Sequence, residues 1–177
     1  MEETMDFAAI IRNVPDFPKP GIQFKDITTL VGNGAAFREI IEGWKARYAD
    51  QRITAIVGAD ARGFIFGAAL AYALGIGFVP VRKKGKLPAA TLAEDFDLEY
   101  GKDTIEIHLD ALKPGDRVVL VDDLLATGGT MAAMAGLVKK LGAEIVEVAF
   151  VVELPDLKGR EKLAGLPVHV LVQFEGE

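Results

Sequence analysis

Two kinds of hydrophobic run alternate along this chain, and polar or glycine-rich punctuation separates them. Residues 118–121 read Val-Val-Leu-Val without a polar position, which predicts a strand buried on both faces. Residues 53–57, 145–152 and 168–172 are further short apolar runs that fit strands. Phe37, Ile40, Ile41, Trp44 and Tyr48 recur at helical spacing, with Arg38, Glu39, Glu42 and Lys45 mostly on the other side. That pattern predicts an amphipathic helix. Met131, Met134, Ala135, Val138 and Leu141 form the stripe of another helix, opening near Thr130 and ending at Gly142. A stripe carrying methionines at this spacing reads as core packing, not as a ligand box. Residues 64–74 predict a buried helix stopped by Gly75, with a strand at 78–81 behind it. Strands separated by helices define an α/β fold, with a mostly parallel sheet flanked by helices and right-handed crossovers.

One region follows a different rhythm. Ile105, Ile107 and Leu109 alternate with Glu106 and His108, the period-two pattern of a strand with one wet face. Residues 92–98 can pair with it antiparallel, leaving Glu99, Tyr100, Gly101, Lys102 and Asp103 as the tip. A polar hairpin on an α/β sheet is a candidate lid. His108 is read as an exposed structural residue on the wet face. His169 has no partner motif nearby and is given a structural role as well.

Composition narrows the class. At 177 residues, with 50% hydrophobic and 26% charged residues, the chain fits one soluble globular domain. No repeat, low-complexity stretch or linker marks a second one. The formal net charge of −6 argues against binding bulk nucleic acid or an anionic membrane, since both call for a basic face. With no cysteine, disulfides, thiolate chemistry and cysteine zinc sites are excluded. The acidic start Met1-Glu2-Glu3-Thr4 lacks the features of a secretory leader, so the expected location is cytoplasmic. Nineteen uncharged residues run from 63 to 81, close to a membrane span, but Gly75, Gly77 and Pro80 interrupt them.

The chemistry concentrates behind the 118–121 strand. Asp122 and Asp123 stand at its C-terminal end, where ligands bind in open α/β sheets. Leu124, Leu125, Ala126, Thr127, Gly128, Gly129 and Thr130 follow, a small glycine-rich loop that opens a helix. Backbone N–H groups and a helix N-terminus suit a phosphate, and the carboxylates suit the hydroxyls of a vicinal diol. A strand and turn alone would not call for two unpaired acids at a buried end. The G-x-x-x-x-G-K-[ST] loop of the P-loop nucleotidases is absent, and no complete G-x-G-x-x-G occurs. Two basic features bracket the 64–74 helix. Arg62 lies in Gly58-Ala59-Asp60-Ala61-Arg62-Gly63, and Arg82-Lys83-Lys84-Gly85-Lys86 follows the 78–81 strand. Four cations in five residues of an acidic chain suit a polyanionic ligand. The proline-rich stretch 16–28 reads as stiffened and irregular.

The 118–130 run resembles the phosphoribosyl-pyrophosphate motif of the type I phosphoribosyltransferases, and its wording is most similar to the adenine-using branch. The resemblance covers about residues 11–152. It implies a single domain over 1–177, with an N-terminal hood at about 1–34 and a flexible lid hairpin at about 92–109. Asp122 and Asp123 would hold the ribose hydroxyls, while Ala126, Thr127, Gly128, Gly129 and Thr130 wrap the 5′-phosphate. Ala61, Arg62, Arg82, Lys83 and Lys86 would meet the diphosphate. In the hood, Phe24 would lie on one face of the purine and Leu124 on the other, with backbone groups of Gln23 and Lys25 reading its edge. Many relatives carry arginine where this chain has Lys25, and a backbone contact survives that change. Glu99 and Tyr100 match the Glu-Tyr pair of the family's catalytic hairpin, with Glu99 handling a proton.

The function implied is transfer of phosphoribosyl from 5-phosphoribosyl 1-pyrophosphate to adenine, giving AMP and diphosphate in purine salvage. Magnesium would be held mainly through substrate oxygens, with no dedicated protein metal site. The basic loop would reach toward a neighbouring subunit, which implies a homodimer. A transferase for another purine base, or a non-catalytic sensor of phosphoribosyl pyrophosphate, remain the alternatives.

Overall fold

The computed structural model describes residues 4–98 and 100–176. Four short elements come first: α1 (Phe7–Ile10), β1 (Arg12–Pro15), β2 (Gln23–Asp26) and α2 (Thr28–Val31). The body follows with α3 (Gly34–Tyr48), β3 (Ala55–Ala59), α4 (Arg62–Leu74) and β4 (Gly77–Lys83). A hairpin of β5 (Thr91–Asp97) and β6 (Lys102–His108) precedes β7 (Arg117–Leu125) and α5 (Gly129–Lys140). The chain ends with β8 (Glu144–Glu153), two short 3-10 segments (Pro155–Leu157 and Gly159–Leu163) and β9 (Val168–Gln173).

Seven strands form one sheet in the order β5-β6-β4-β3-β7-β8-β9. The five from β4 to β9 are mutually parallel, and the hairpin joins one edge antiparallel. Alternate residues of the central strands feed two cores. Val57, Val118, Leu120, Val148 and Phe150 pack with α5, while Ile56, Val119, Val121, Ala149 and Val151 pack with α3 and α4. Burial on both faces is why these strands read as unbroken apolar runs.

The predicted elements appear with displaced ends. The first sheet strand begins at Ala55 and not at residue 53, and β7 continues to Leu125, so both aspartates lie within the strand. Helix α4 ends at Leu74, where Gly75 takes the left-handed conformation at φ +69°. Among the described residues no helix is long and apolar enough to cross a membrane.

Two expectations need correction. Residues 23–26 are not irregular: they form β2, paired with β1 as a separate two-stranded sheet. The wet face expected for β6 is not wet either. Glu106 is buried and accepts a hydrogen bond from the Gly85 backbone N–H at 3.2 Å. His108 is half-buried, its Nε2 accepting from the Ala89 N–H at 3.3 Å, and Leu109 is exposed. Glu106 lies opposite Arg82 of β4, so the basic turn covers the side that a lone hairpin would leave to water.

The seating of α4 matters most for the site. Phe78 of β4 sits between two glycines: a Cβ on Gly58 or Gly67 would lie 2.7 or 2.8 Å from its Cε2 atom. Phe64 packs edge-on against the same ring, centroids 5.5 Å apart. The ring therefore sets how closely α4 approaches β3. Gly67→Ala should destabilise the fold by about 1–3 kcal/mol, the usual range for overpacking a filled core. Phe78→Leu in the same chain should recover part of that loss. Urea unfolding of the single and double variants checks both, and additive losses would show that ring and glycine are independent.

Candidate active site

Because β4, β3 and β7 are parallel and in register, their C-terminal ends meet at one edge of the sheet. The chain leaves β3 to one side for β4 and returns on the other side for β7. That reversal opens the crevice where ligands bind in such sheets. Three loops collect there: 60–62 after β3, 83–86 after β4 and 126–128 after β7.

The loop after β7 forms a cradle. Gly128 holds φ +84°, and α5 begins at Gly129 with no side chain capping its first amides. A cavity of about 90 Å³ lies against Asp122, Leu124, Ala126, Thr127, Gly129 and Thr130. Uncapped helix amides facing a small polar hollow favour a bound anion.

The two acids beside it are not equivalent. Asp123 is buried, and the Arg62 Nε donates to its Oδ2 at 2.5 Å. Asp122 keeps partial solvent contact but lies deep among protein atoms, its Oδ1 accepting from the Asp123 backbone N–H at 2.8 Å. Burial, reinforced by the neighbouring Asp123 charge, pushes the Asp122 carboxyl well above the usual carboxylate range. For Arg62, burial works against its charge, but Asp123, Asp122 and Asp26 outweigh it and hold its pKa above the ordinary value. The expectation of two unpaired acids is thus half right, since Asp123 has a partner. Arg62 is the partner that Asp123 finds. A side chain on Gly63 would crowd Asp122 Oδ1 and the Val121 carbonyl, each 3.0 Å from a Cβ there. The first turn of α4 therefore rests on the acid-bearing end of β7, and glycine permits it.

The residues expected to meet a diphosphate lie alongside. Ala61 is the residue before α4, and the Asp60–Ala61 peptide is cis. Arg82 Nε donates to Asp60 Oδ2 at 2.8 Å, and Lys83 pairs with Asp103 of the hairpin at 3.2 Å. These groups border a second hollow of about 240 Å³ that also touches Phe96, Leu98 and Thr130. Lys86 is exposed in the turn, its backbone N–H donating to the Lys83 carbonyl. Sequence reasoning missed Asp60 and Asp103 as partners, because their cations come from strands distant in the chain.

The hood residues approach from the other side. Phe24 packs edge-on to Phe17, centroids 5.1 Å apart, and the Arg62 guanidinium lies 5.9 Å from its ring. Arg62 therefore stands between Phe24 and the acids. Gln23 Oε1 accepts from Asn13 Nδ2 at 2.8 Å, while Lys25 Nζ donates to Asn13 Oδ1 at 2.9 Å and covers the Phe174 ring. Among the described residues β2 pairs with β1 in a sheet separate from the main one. Leu124 borders the phosphate cavity and packs on the α4-side core. Tyr100 is 84% exposed at the hairpin tip and is not gathered into the site. Glu99 lies outside the described residues.

An amide cradle, an acid pair and cations meet at one sheet edge, and the chain belongs to the phosphoribosyltransferase class. The family model for the phosphoribosyl transferase domain matches residues 27–165. Within that class the chain belongs to the adenine phosphoribosyltransferase family. It is 59% identical over 169 residues to the adenine phosphoribosyltransferase of Chloroflexus aurantiacus, covering 96% of this chain and 98% of that one. Identity to the Roseiflexus sp. protein of the same name is 57%, over 97% of this chain and 99% of that one. The crystal structure of the Thermoanaerobacter pseudethanolicus enzyme superposes with a TM-score of 0.91 at 51% identity, covering 95% and 98% of the two chains. The Saccharomyces cerevisiae enzyme, solved with an iminoaltritol bisphosphate and adenine, gives 0.89 at 41% identity over 93% and 96%.

The raised Asp122 carboxyl gives a test that separates stability from binding. A carboxyl whose pKa is higher folded than unfolded holds its proton more tightly in the native state. Its contribution is therefore most favourable at low pH and declines as pH rises from the ordinary carboxylate value toward the folded one. Asp122→Asn removes that decline. Ligand-free Asp122→Asn should gain about 0.5–2 kcal/mol at neutral pH, as in other trades of site function for stability. The gain should shrink near pH 4, while phosphoribosyl-pyrophosphate affinity falls by roughly 1.5–3 kcal/mol for the lost charged hydrogen bond. Thermal melts at both pH values with binding calorimetry check this; an unchanged melting temperature at neutral pH would contradict the burial argument.

Proposed function

We propose that this site joins adenine to the phosphoribosyl group of 5-phosphoribosyl 1-pyrophosphate, giving AMP and diphosphate for purine salvage. The observation that carries the reading is the acid pair beside the amide cradle, with Arg62 bridging from Asp123 toward Phe24. A ribose 5-phosphate fits that order: phosphate on the amides of 126–130, hydroxyls on Asp122 and Asp123, and the anomeric carbon toward the cations. Ala61, Arg62, Arg82, Lys83 and Lys86 would then face the diphosphate.

In the reaction the bond from the anomeric carbon to the diphosphate oxygen breaks as the bond to the adenine ring nitrogen forms. The ribose carries oxocarbenium character between the two events, and the proton on the attacking nitrogen must leave. The protein's work is positioning and electrostatic stabilisation. Phe24 and Leu124 would hold the purine between them, and backbone groups of Gln23 and Lys25 would read its edge, since a carbonyl accepts from a 6-amino group and repels a 6-oxo group. Glu99, with Tyr100 beside it on the hairpin tip, is assigned the proton and the exclusion of water.

Magnesium enters this reading on the substrate. Magnesium prefers hard oxygen donors, and the substrate supplies them. Its oxygens would come mainly from the diphosphate and hydroxyl groups, and the bound ion would neutralise the leaving charge. A homodimer, with the exposed 83–86 turn reaching the neighbouring site, and a cytoplasmic location complete the proposal.

The decisive assay supplies phosphoribosyl pyrophosphate and magnesium with radiolabelled adenine, hypoxanthine or guanine. AMP from adenine, with little product from the other bases, is the expected result. Inosinate or guanylate formation would move the chain to another purine, and no product at all would favour a sensor. Within the enzyme reading, Glu99→Gln should slow the chemical step by about 10²–10⁴-fold, the usual contribution of one general acid or base. Affinity for phosphoribosyl pyrophosphate should change little. Single-turnover kinetics are the right measurement, because lid opening can limit the steady state; a wild-type rate across pH would remove Glu99 from proton transfer.

A further inference from the structure

Behind the phosphate cradle lies a segment to which sequence reasoning gave no role. After β8 the chain makes two 3-10 turns, and Gly159, first residue of the second, is buried against the loop after β7. A Cβ on Gly159 would overlap the Ala126 carbonyl oxygen and come within 2.7 Å of Leu125 Cδ1. Reciprocally, a Cβ on Gly128 would overlap the Gly159 carbonyl oxygen. The two backbones thus touch on both sides of the contact, at the residues that shape the cavity, and each side requires glycine.

The next residue anchors that contact. Arg160 donates through Nε to Glu153 Oε1 at 2.7 Å and through a terminal nitrogen to Glu153 Oε2 at 2.9 Å. Gln173 of β9 adds a third donor to the same carboxylate at 2.7 Å. Glu153 is 3% exposed and ends β8, the strand beside β7, while the Leu154 N–H donates to the Leu125 carbonyl at 2.9 Å. A buried carboxylate with three donors and a forked arginine is a rigid fixture. It holds Gly159 at a set height behind Ala126 and Gly128.

We propose that the Gly159–Arg160 turn is the back wall of the phosphate cradle, with Arg160 a positioning residue for the ligand's 5′-phosphate. The amides of a cradle stabilise an anion only when all point at one place, and a displacement near 1 Å can be felt about 10²-fold in function. Arg160 touches no ligand in this arrangement; it acts through Gly159 on the loop. The inference rests on the phosphate assignment made above.

The test compares ligands that carry the 5′-phosphate with one that does not. Binding of AMP, phosphoribosyl pyrophosphate and magnesium diphosphate is measured by calorimetry on wild type, Gly159→Ala and Arg160→Lys. Gly159→Ala pushes directly on Ala126. Arg160→Lys keeps the charge beside Glu153 but loses the fork, so it preserves the buried ion pair and the fold. Gly159→Ala is expected to weaken AMP and phosphoribosyl pyrophosphate by on the order of 10²-fold, the scale of a misplaced site, with Arg160→Lys smaller in the same direction. Diphosphate affinity should be unchanged in both. Wild-type AMP affinity in folded Arg160→Lys, or equal losses for AMP and diphosphate, would overturn the proposal. Failure of wild type itself to bind AMP would instead overturn the phosphate assignment beneath it.

Discussion

Asp122 and Asp123 stand side by side where β7 leaves the core, with little water to screen them, and the surrounding architecture answers that repulsion. Two like charges this close cannot both be free in a poorly hydrated place. One is matched by Arg62 across the crevice between β3 and β7; the other is pushed toward its protonated form. Arg62 can reach Asp123 because Gly63 lets the first turn of α4 rest on β7. Gly58 and Gly67 let α4 lie close enough to β3, with Phe78 filling the space between them. Helix seating and ion pairing are therefore one problem with one solution.

The same arrangement is what the function proposed above would use for a diol and a diphosphate. Hydroxyl protons are good donors to carboxylates that otherwise repel each other, and a polyphosphate is a good alternative partner for Arg62. In the function proposed above, ligand binding would replace the internal ion pair with a phosphate contact to Arg62 and hydroxyl hydrogen bonds to the acids. Three ion pairs line this edge: Arg62 with Asp123, Arg82 with Asp60, and Lys83 with Asp103. Such pairs keep the charges oriented without sealing the crevice.

Rigidity is distributed unevenly around this edge. The phosphate side is braced by backbone contact at Gly128 and Gly159 and by the threefold anchoring of Glu153. The hairpin is held by the pairing of β6 with β4 and by buried Ile105 and Ile107, with side-chain contacts added by Glu94 to Lys140, Lys83 to Asp103, and Phe96 near Gly129. Exposed ion pairs of this kind contribute little to stability.

The order of strands and helices was legible in the sequence because burial on two faces, or on one stripe, leaves a local periodicity. So was the cradle, since an apolar strand, two acids and a glycine loop occupy thirteen consecutive residues. The side of β6 was misjudged because its burial comes from the basic turn after β4, twenty residues upstream of Glu106. Gln23 and its neighbours looked irregular because their strand partner is supplied by residues 12–15 across a proline-rich turn. Arg62 was identified from its loop, but its partner Asp123 lies 61 residues away, and only the parallel register of β3 and β7 brings them together. The same holds for Gly159 and Gly128. Each glycine is conspicuous alone, yet the reason for both is a backbone contact between segments that no local pattern connects.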